Sequence, residues 1–327
     1  MDFLKSVVEV VRPFGARRQL RRMAVASLVM NVVIIVTGAL VRLTDSGLGC
    51  PTWPQCTPGS YTPHAELGVH GLIEFGNRLL TFVLVLIALA TWISALLFRR
   101  VDGTPDRRLR WLTFAMGLGI PFQGVIGGIT VLTDLNPYVV ALHLINSMVL
   151  VSLAVWLIRL TWPLPARAVG RPIRVLTVII FALAWAVIAL GTVVTGSGPH
   201  AGDEQAVRTG LDPEMISKAH AWTVYLLVIA TGAAVVLLRS VAPVLLLVVE
   251  LAQGVIGYVQ YFTGLPIGLV ALHMLGAASV IATAANVCFS VRLKAATPAE
   301  SPAADHRANS DSPSPAPPDH AVSGPGQ

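Results

Sequence analysis

Eight long apolar runs, at about 23–43, 67–98, 111–133, 138–160, 175–197, 215–238, 241–263 and 267–291, leave this 327-residue chain few ways to fold. Each is long enough to cross the ~30 Å of hydrocarbon in a bilayer. Only helices and closed barrels satisfy the backbone there, and these runs are far too long for barrel strands, so each is predicted as a membrane-spanning helix. Composition agrees: 54% of residues are hydrophobic, 12% are charged and the mean hydropathy is +0.72, too apolar for a soluble globule. Lys5, Arg12, Arg17, Arg18, Arg21 and Arg22 precede the first run like the basic start of a signal peptide. Its apolar core is long, however, and no small-x-small cleavage site follows before Arg42, so it reads as the first helix.

Basic residues orient the bundle. Six precede the first run, five lie at 99–110, four at 159–174, and Arg239, Arg292 and Lys294 fall on the same side; the opposite side carries only Arg42, Arg78, Arg208 and Lys218. The positive-inside rule then predicts a multi-pass plasma-membrane protein with both termini cytoplasmic. Topology accounts for the net charge of +6, and no nucleic-acid partner is needed.

This orientation puts Cys50 and Cys56 in the first external loop, on the oxidising side of a bacterial-type membrane. Two prolines stand between them, and a small disulfide ring is feasible, with free thiols as the alternative. The zinc spacing C-x2-C is absent, and Cys288 lies in the last run.

The chain contains a repeat. QGVIGGITVLTDLNPYVVALH at 123–143 matches QGVIGYVQYFTGLPIGLVALH at 253–273 at eleven of twenty-one positions without a gap, and TGALVRLTDSGLG faces LGTVVTGSGPHAG further upstream. An even number of helices per repeat makes the halves parallel. The expected fold is an all-α membrane protein of eight helices in two tandem pseudo-symmetric four-helix bundles. Its divisions are an N-terminal cytoplasmic segment (1–22), a first bundle (23–160), a cytoplasmic linker (161–174), a second bundle (175–291) and a disordered cytoplasmic tail (292–327).

Four histidines follow the repeat. His143 and His273 are equivalent, and His220 and His70 are expected at similar depth in the sixth and second helices. A lone intramembrane histidine is commonly a structural hydrogen-bond partner, but ionisable groups there are costly and cluster at functional sites. Two neutral imidazoles at one height in a bundle core can ligate an iron from both faces of a porphyrin. Zinc is disfavoured because no third or fourth ligand stands at the same level. Two haem sites are therefore expected, one per half. The halves differ at L-I-E-F-G-N-R (72–78), since I-S-K-A-H-A-W around His220 has no carboxylate. Glu74 and Arg78 are spaced for an ion pair. His70, Glu74, Asn77 and Arg78 also share one stripe of the second helix, where a poorly hydrated carboxylate is suited to proton transfer.

The motif T-G-x-x-V-R-L-T-D-S-G-L-G-C-P-x-W-P-x-C, followed by I-E-F-G-N-R and by histidines on the fourth, sixth and eighth helices, resembles the haem A synthases, which mature the haem of cytochrome oxidase. The resemblance runs over residues 23–291. It implies oxidation of the C8 methyl of haem O to the formyl of haem A, a haem b cofactor held by His220 and His273, and a substrate haem with His143 as one iron ligand. Glu74 is the implied catalytic residue, beside Arg78, and Cys50 and Cys56 match the family's paired first-loop cysteines. One departure stands out: the family's Glu-x-x-His-Arg reads Glu74-x-x-Asn77-Arg78 here. His70, two turns earlier, is the expected substitute ligand, and ligation by His143 alone is the alternative. The implied partners are haem O, the farnesyltransferase that makes it and a membrane or soluble electron-transfer protein, with homo-oligomerisation left open. A non-catalytic di-haem electron carrier also explains the histidines and the repeat, but neither Glu74 nor the first-loop motif. A transporter leaves the matched histidines without a reason.

Overall fold

The computed structural model describes residues 16–162, 166–200, 202–203 and 206–294. All eight apolar runs are helices long and apolar enough to cross a membrane: α1 (Arg17–Leu43), α2 (Gly68–Leu97, entered through a 3-10 turn at Ala65–Leu67), α3 (Arg107–Leu132), α4 (Pro137–Thr161), α5 (Arg171–Ser197), α6 (Pro213–Leu238), α7 (Val241–Phe262) and α8 (Ile267–Phe289). Short polar side chains start several of them. Asp106 accepts from the amides of Arg108 and Leu109, Asn136 from that of Tyr138, and Asp212 from that of Glu214, which satisfies amides that the first turn leaves free.

Two boundaries differ from the hydropathy reading. Helix α1 starts at Arg17, inside the segment expected to precede it. Arginine is a good helix former, and its long side chain can lie along apolar surface while its head stays polar. Here Arg17 stacks over Phe98 and Arg21 over Trp162, at 5.5 and 4.7 Å from the ring centroids. The second difference lies at the end where α1 begins. Within the expected linker, β1 (Arg167–Val169) pairs in parallel with β2 (Val291–Leu293), so Arg292 and Leu293 belong to a strand rather than to the expected disordered tail. The amide of Lys294 extends the ladder to the Val169 carbonyl at 2.9 Å. Residues 1–15 and the tail from 295 onward lie outside the described residues.

Within the first half α1 packs on α2, α2 on α3, α3 on α4 and α4 on α1; α5 to α8 close a second ring in the same order. The rings meet where α8 contacts α1 and α4, and where α4 contacts α5. Fully buried Ala278, Ala284 and Ala285 on α8 allow this close approach of backbones. The repeat reaches into the turns. Leu135 and Leu265 both have positive φ, 59° and 60°, and donate to the carbonyls of Thr130 and Gln260 at 2.8 Å in each half. Phe82, Leu86, Trp111 and Val241 point outward, as lipid-facing side chains do.

Candidate functional site

A cavity of about 630 Å³ lies in the first ring, within the range of ~300–1,000 Å³ typical of ligand pockets. Its wall includes Asn77 of α2, Gln123 of α3, His143 of α4, and Trp53 from the loop between α1 and α2. Glycines make the room. A Cβ at Gly127 would stand 3.0 Å from Cε1 of His143, so the imidazole lies against bare backbone of α3. A polar clamp fixes the turn of α4 that carries it: Gln123 Nε2 donates to the His143 carbonyl and to Ser147 Oγ, both at 2.7 Å, while Asn146 Nδ2 donates to Gln123 Oε1 at 2.5 Å.

The loop that covers the cavity is tied down by Glu74 and Arg78. Cys50 and Cys56 are disulfide-bonded and fully buried. Glu74, 6% exposed, accepts from the Cys50 amide at 2.6 Å through Oε2, and from Arg78 Nη2 and Nε at 2.5 and 3.1 Å through Oε1. Arg78 also donates to the carbonyls of Cys50, Thr52 and Gln55 at 3.1 to 3.3 Å. The pair thus serves as the anchor of the disulfide loop, and both residues still line the cavity. Trp53 completes the cover by lying across Gly128, where a Cβ would come within 2.3 Å of its ring.

His70 is not brought to this cavity. It is exposed, its Nδ1 is 2.9 Å from Ser46 Oγ, and it is absent from the cavity wall. The stripe shared with Glu74 breaks down because the incoming loop occupies that level of α2, with Gly49 packed on the His70 carbonyl so closely that a Cβ would lie 2.3 Å away. Asn77 takes the inward position. It accepts from Thr37 Oγ1 at 2.7 Å, and its Nδ2 is 3.8 Å from where a Cβ of Gly38 would be. In the second half Gly191, the repeat equivalent of Gly38, faces Cε1 of His220 at 3.4 Å. Asn77 is therefore the positional counterpart of His220.

His273 likewise faces Gly257 at 3.4 Å, as His143 faces Gly127. The imidazoles of His220 and His273 are close enough to interact electrostatically. The Nδ1 atoms of His143 and His273 are buried without a hydrogen-bond partner, whereas the His220 ring is within reach of the Val187 backbone. Orphaned buried nitrogens are uncommon, and one explanation is a missing bound group. Among the described residues no three His, Cys, Asp or Glu side chains converge on a point, so no cage exists for a bare ion. Iron carried in a macrocycle needs only one or two imidazoles from the protein, and the glycine-backed histidines fit that requirement.

Two further charged residues went unassigned in the sequence. Arg42 lines the same cavity. Glu250 on α7 is 2% exposed, with Oε1 accepting from Thr231 at 2.8 Å and Oε2 unpartnered. The repeat carried a signal for Glu250, because its equivalent in the first half is Ile120.

A family model described as "Cytochrome oxidase assembly protein" matches residues 21–202, more than half of the chain and all of the first ring but the first turn of α1. Among curated relatives, the chain is 31% identical to the heme A synthase of Lysinibacillus sphaericus strain C3-41 over 161 residues, covering 47% of this chain and 50% of the relative. It is 31% identical to that of Shewanella oneidensis over 185 residues (52% and 53%), and 30% identical to that of Geobacillus thermodenitrificans over 151 residues (45% and 45%). The chain thus spans about half the length of the curated relatives it matches. Glu74, Asn77, Arg78 and His143 fall inside the matched region, and His220 and His273 beyond it. With the first-loop motif built into the wall of the cavity and the match running through it, the chain belongs to the family of cytochrome oxidase assembly proteins that includes the haem A synthases.

Proposed function

We propose that this protein makes haem A in the cavity of the first ring, oxidising the C8 methyl of haem O to a formyl group with the oxygen of one water and release of four protons and four electrons, the electrons passing to a membrane or soluble electron-transfer protein. The observation that carries the reading is the glycine-backed imidazole of His143 in the wall of the same covered cavity as Glu74. His143 supplies one imidazole to the substrate iron. Asn77, already bonded to Thr37, gives that iron no second imidazole, so the reading rests on His143 alone and not on His70. Glu74 is the proton acceptor beside the methyl carbon. A carboxylate has about four lone-pair positions, and Arg78 and the Cys50 amide hold its orientation while the rest remain for a proton. The disulfide loop and Trp53 cover the cavity at its loop end.

In the second ring His220 and His273 would hold haem b, which supplies one-electron redox chemistry when bound. The protein's part there is a pair of imidazoles at one depth, each set against glycine backbone. The protein lies in the plasma membrane with both termini cytoplasmic, and haem O reaches it from the farnesyltransferase that makes that substrate.

Expressing the chain beside a haem O synthase, in a host without haem A, and identifying the extracted haems by mass tests this reading. Haem A or its hydroxylated precursor is the expected product. Unmodified haem O from folded, haem-loaded protein would refute the enzyme and favour an electron carrier.

A further inference from the structure

Four basic residues lie at the end of the bundle that the positive-inside rule predicts to be external, and three have partners. Arg78 is bound to Glu74 and to loop carbonyls. Arg208 donates to the carbonyls of Ala206 and Pro199 at 2.6 and 2.8 Å. Lys218 pairs with Glu214 at 2.5 Å. The side chain of Arg42, the penultimate residue of α1, makes no hydrogen bond and no ion pair among the described residues.

The surroundings hold the stem of Arg42 in place. Gly202, from the loop between α5 and α6, packs against its Cγ, where a Cβ would stand 3.0 Å away. The Gly202 φ of +104° favours glycine there, and its carbonyl accepts from the Gly47 amide at 3.0 Å. Arg42 lines the large cavity and also a small recess between the halves, beside Leu135 and Thr192. A guanidinium without a counter-charge beside a largely apolar chamber is costly. A bound anion would remove that cost, and a carboxylate matches its planar fork of donors.

We propose that Arg42 is the carboxylate anchor of the substrate site, binding a propionate of the haem that enters the first ring. The inference rests on the functional reading above and adds an orientation to it. A haem bears both carboxylates on one edge, and its C8 methyl is the ring neighbour of one of them. Anchoring that propionate at Arg42 holds the reacting edge of the macrocycle at the loop end of the cavity. Glu74 stands at that same end, six residues into α2, ~9 Å along the helix axis. Arg42 is a positioning residue and touches no reacting atom.

The test is a titration of the detergent-solubilised full chain, its second half already saturated with haem, with ferric haem B and separately with its dimethyl ester. Wild-type protein should bind the free acid about 10- to 100-fold more tightly than the ester, the worth of a charge-assisted hydrogen bond. Arg42→Gln should abolish that preference by weakening the acid alone, and Arg42→Lys should keep part of it. Equal wild-type affinity for acid and ester would overturn the proposal, as it would if the anion at Arg42 were a lipid headgroup. Equal weakening of both ligands in Arg42→Gln would also overturn it, by showing a structural role. Binding of neither ligand by wild type would defeat the substrate-haem reading itself, and the anchor with it.

Discussion

Replacing Arg78 with methionine isolates what the Glu74–Arg78 pair does for the loop over the cavity. An exposed ion pair of this i, i+4 type would contribute at most ~1 kcal/mol. A buried one that loses a partner costs ~3–5 kcal/mol, because the other charge is stranded. Here the side chains are 22% and 8% exposed, nearer the second case. The arginine also satisfies carbonyls of Cys50, Thr52 and Gln55, which have no other cation within the loop. Discounting for the residual exposure of Arg78, the expected cost is about 2–4 kcal/mol.

That cost should appear as opening of the loop rather than loss of the bundle, since the helices pack through other residues. Native-state proteolysis within residues 51–63 should therefore accelerate about 30- to 1,000-fold, while the thermal midpoint of the helical signal moves little. Adding Glu74→Gln to Arg78→Met should recover part of the protection, because the stranded carboxylate is gone. Acceleration below about tenfold, or a fall in helical stability without selective loop cleavage, would refute the anchor role.

Asn77→His should place an imidazole opposite His143, since Gly38 faces that position as Gly191 faces His220; haem bound in the first ring should then give a bis-imidazole low-spin absorption spectrum, and an unchanged spectrum would contradict the pairing of Asn77 with His220. Gly128→Ala should displace Trp53, whose ring lies within 2.3–2.7 Å of the added carbon, destabilising the covered state by about 1–3 kcal/mol and exposing the loop to protease. Gly117→Ala, with nothing within 4 Å of its Cβ and a place outside the cavity wall, should leave both cleavage and haem binding unchanged.

The helices were legible because lipid leaves the backbone one choice, and the repeat was legible because QGVIG and ALH recur at fixed spacing. The pairing of β1 with β2 was not, since two three-residue strands far apart in sequence leave no periodic signal. The matched placement of His143 and His273 against glycine backbone was legible, because the repeat governs it. The sequence misled at His70. Helical spacing placed that residue on the stripe of Glu74, but spacing carries no record of a loop folding back over the first turn of α2, with Ser46 and Gly49 occupying that level. The better guide was Gly38, aligned with Gly191 by the upstream repeat. The longer loop between α1 and α2 separates Gly38 from Asn77 by more residues than Gly191 from His220, which hides the correspondence until both glycines are seen to face the same position.

The halves diverge at equivalent places, and the divergence bears on what each can hold. In the first, Asn146 satisfies Gln123 and one imidazole faces the cavity. In the second, the equivalent of Asn146 is Gly276, whose missing side chain leaves space that Gln253 enters, with its Oε1 unpartnered. That half carries two imidazoles where the first has one and an asparagine. A haem bound through two imidazoles must break two bonds to leave, and one bound through a single imidazole must break one. On the proposed function, the first half must release its product at every turnover, and the second must keep its cofactor. The replacement of a histidine by Asn77 then weakens retention in the half where exchange is required, and leaves the two-imidazole arrangement intact where it is not.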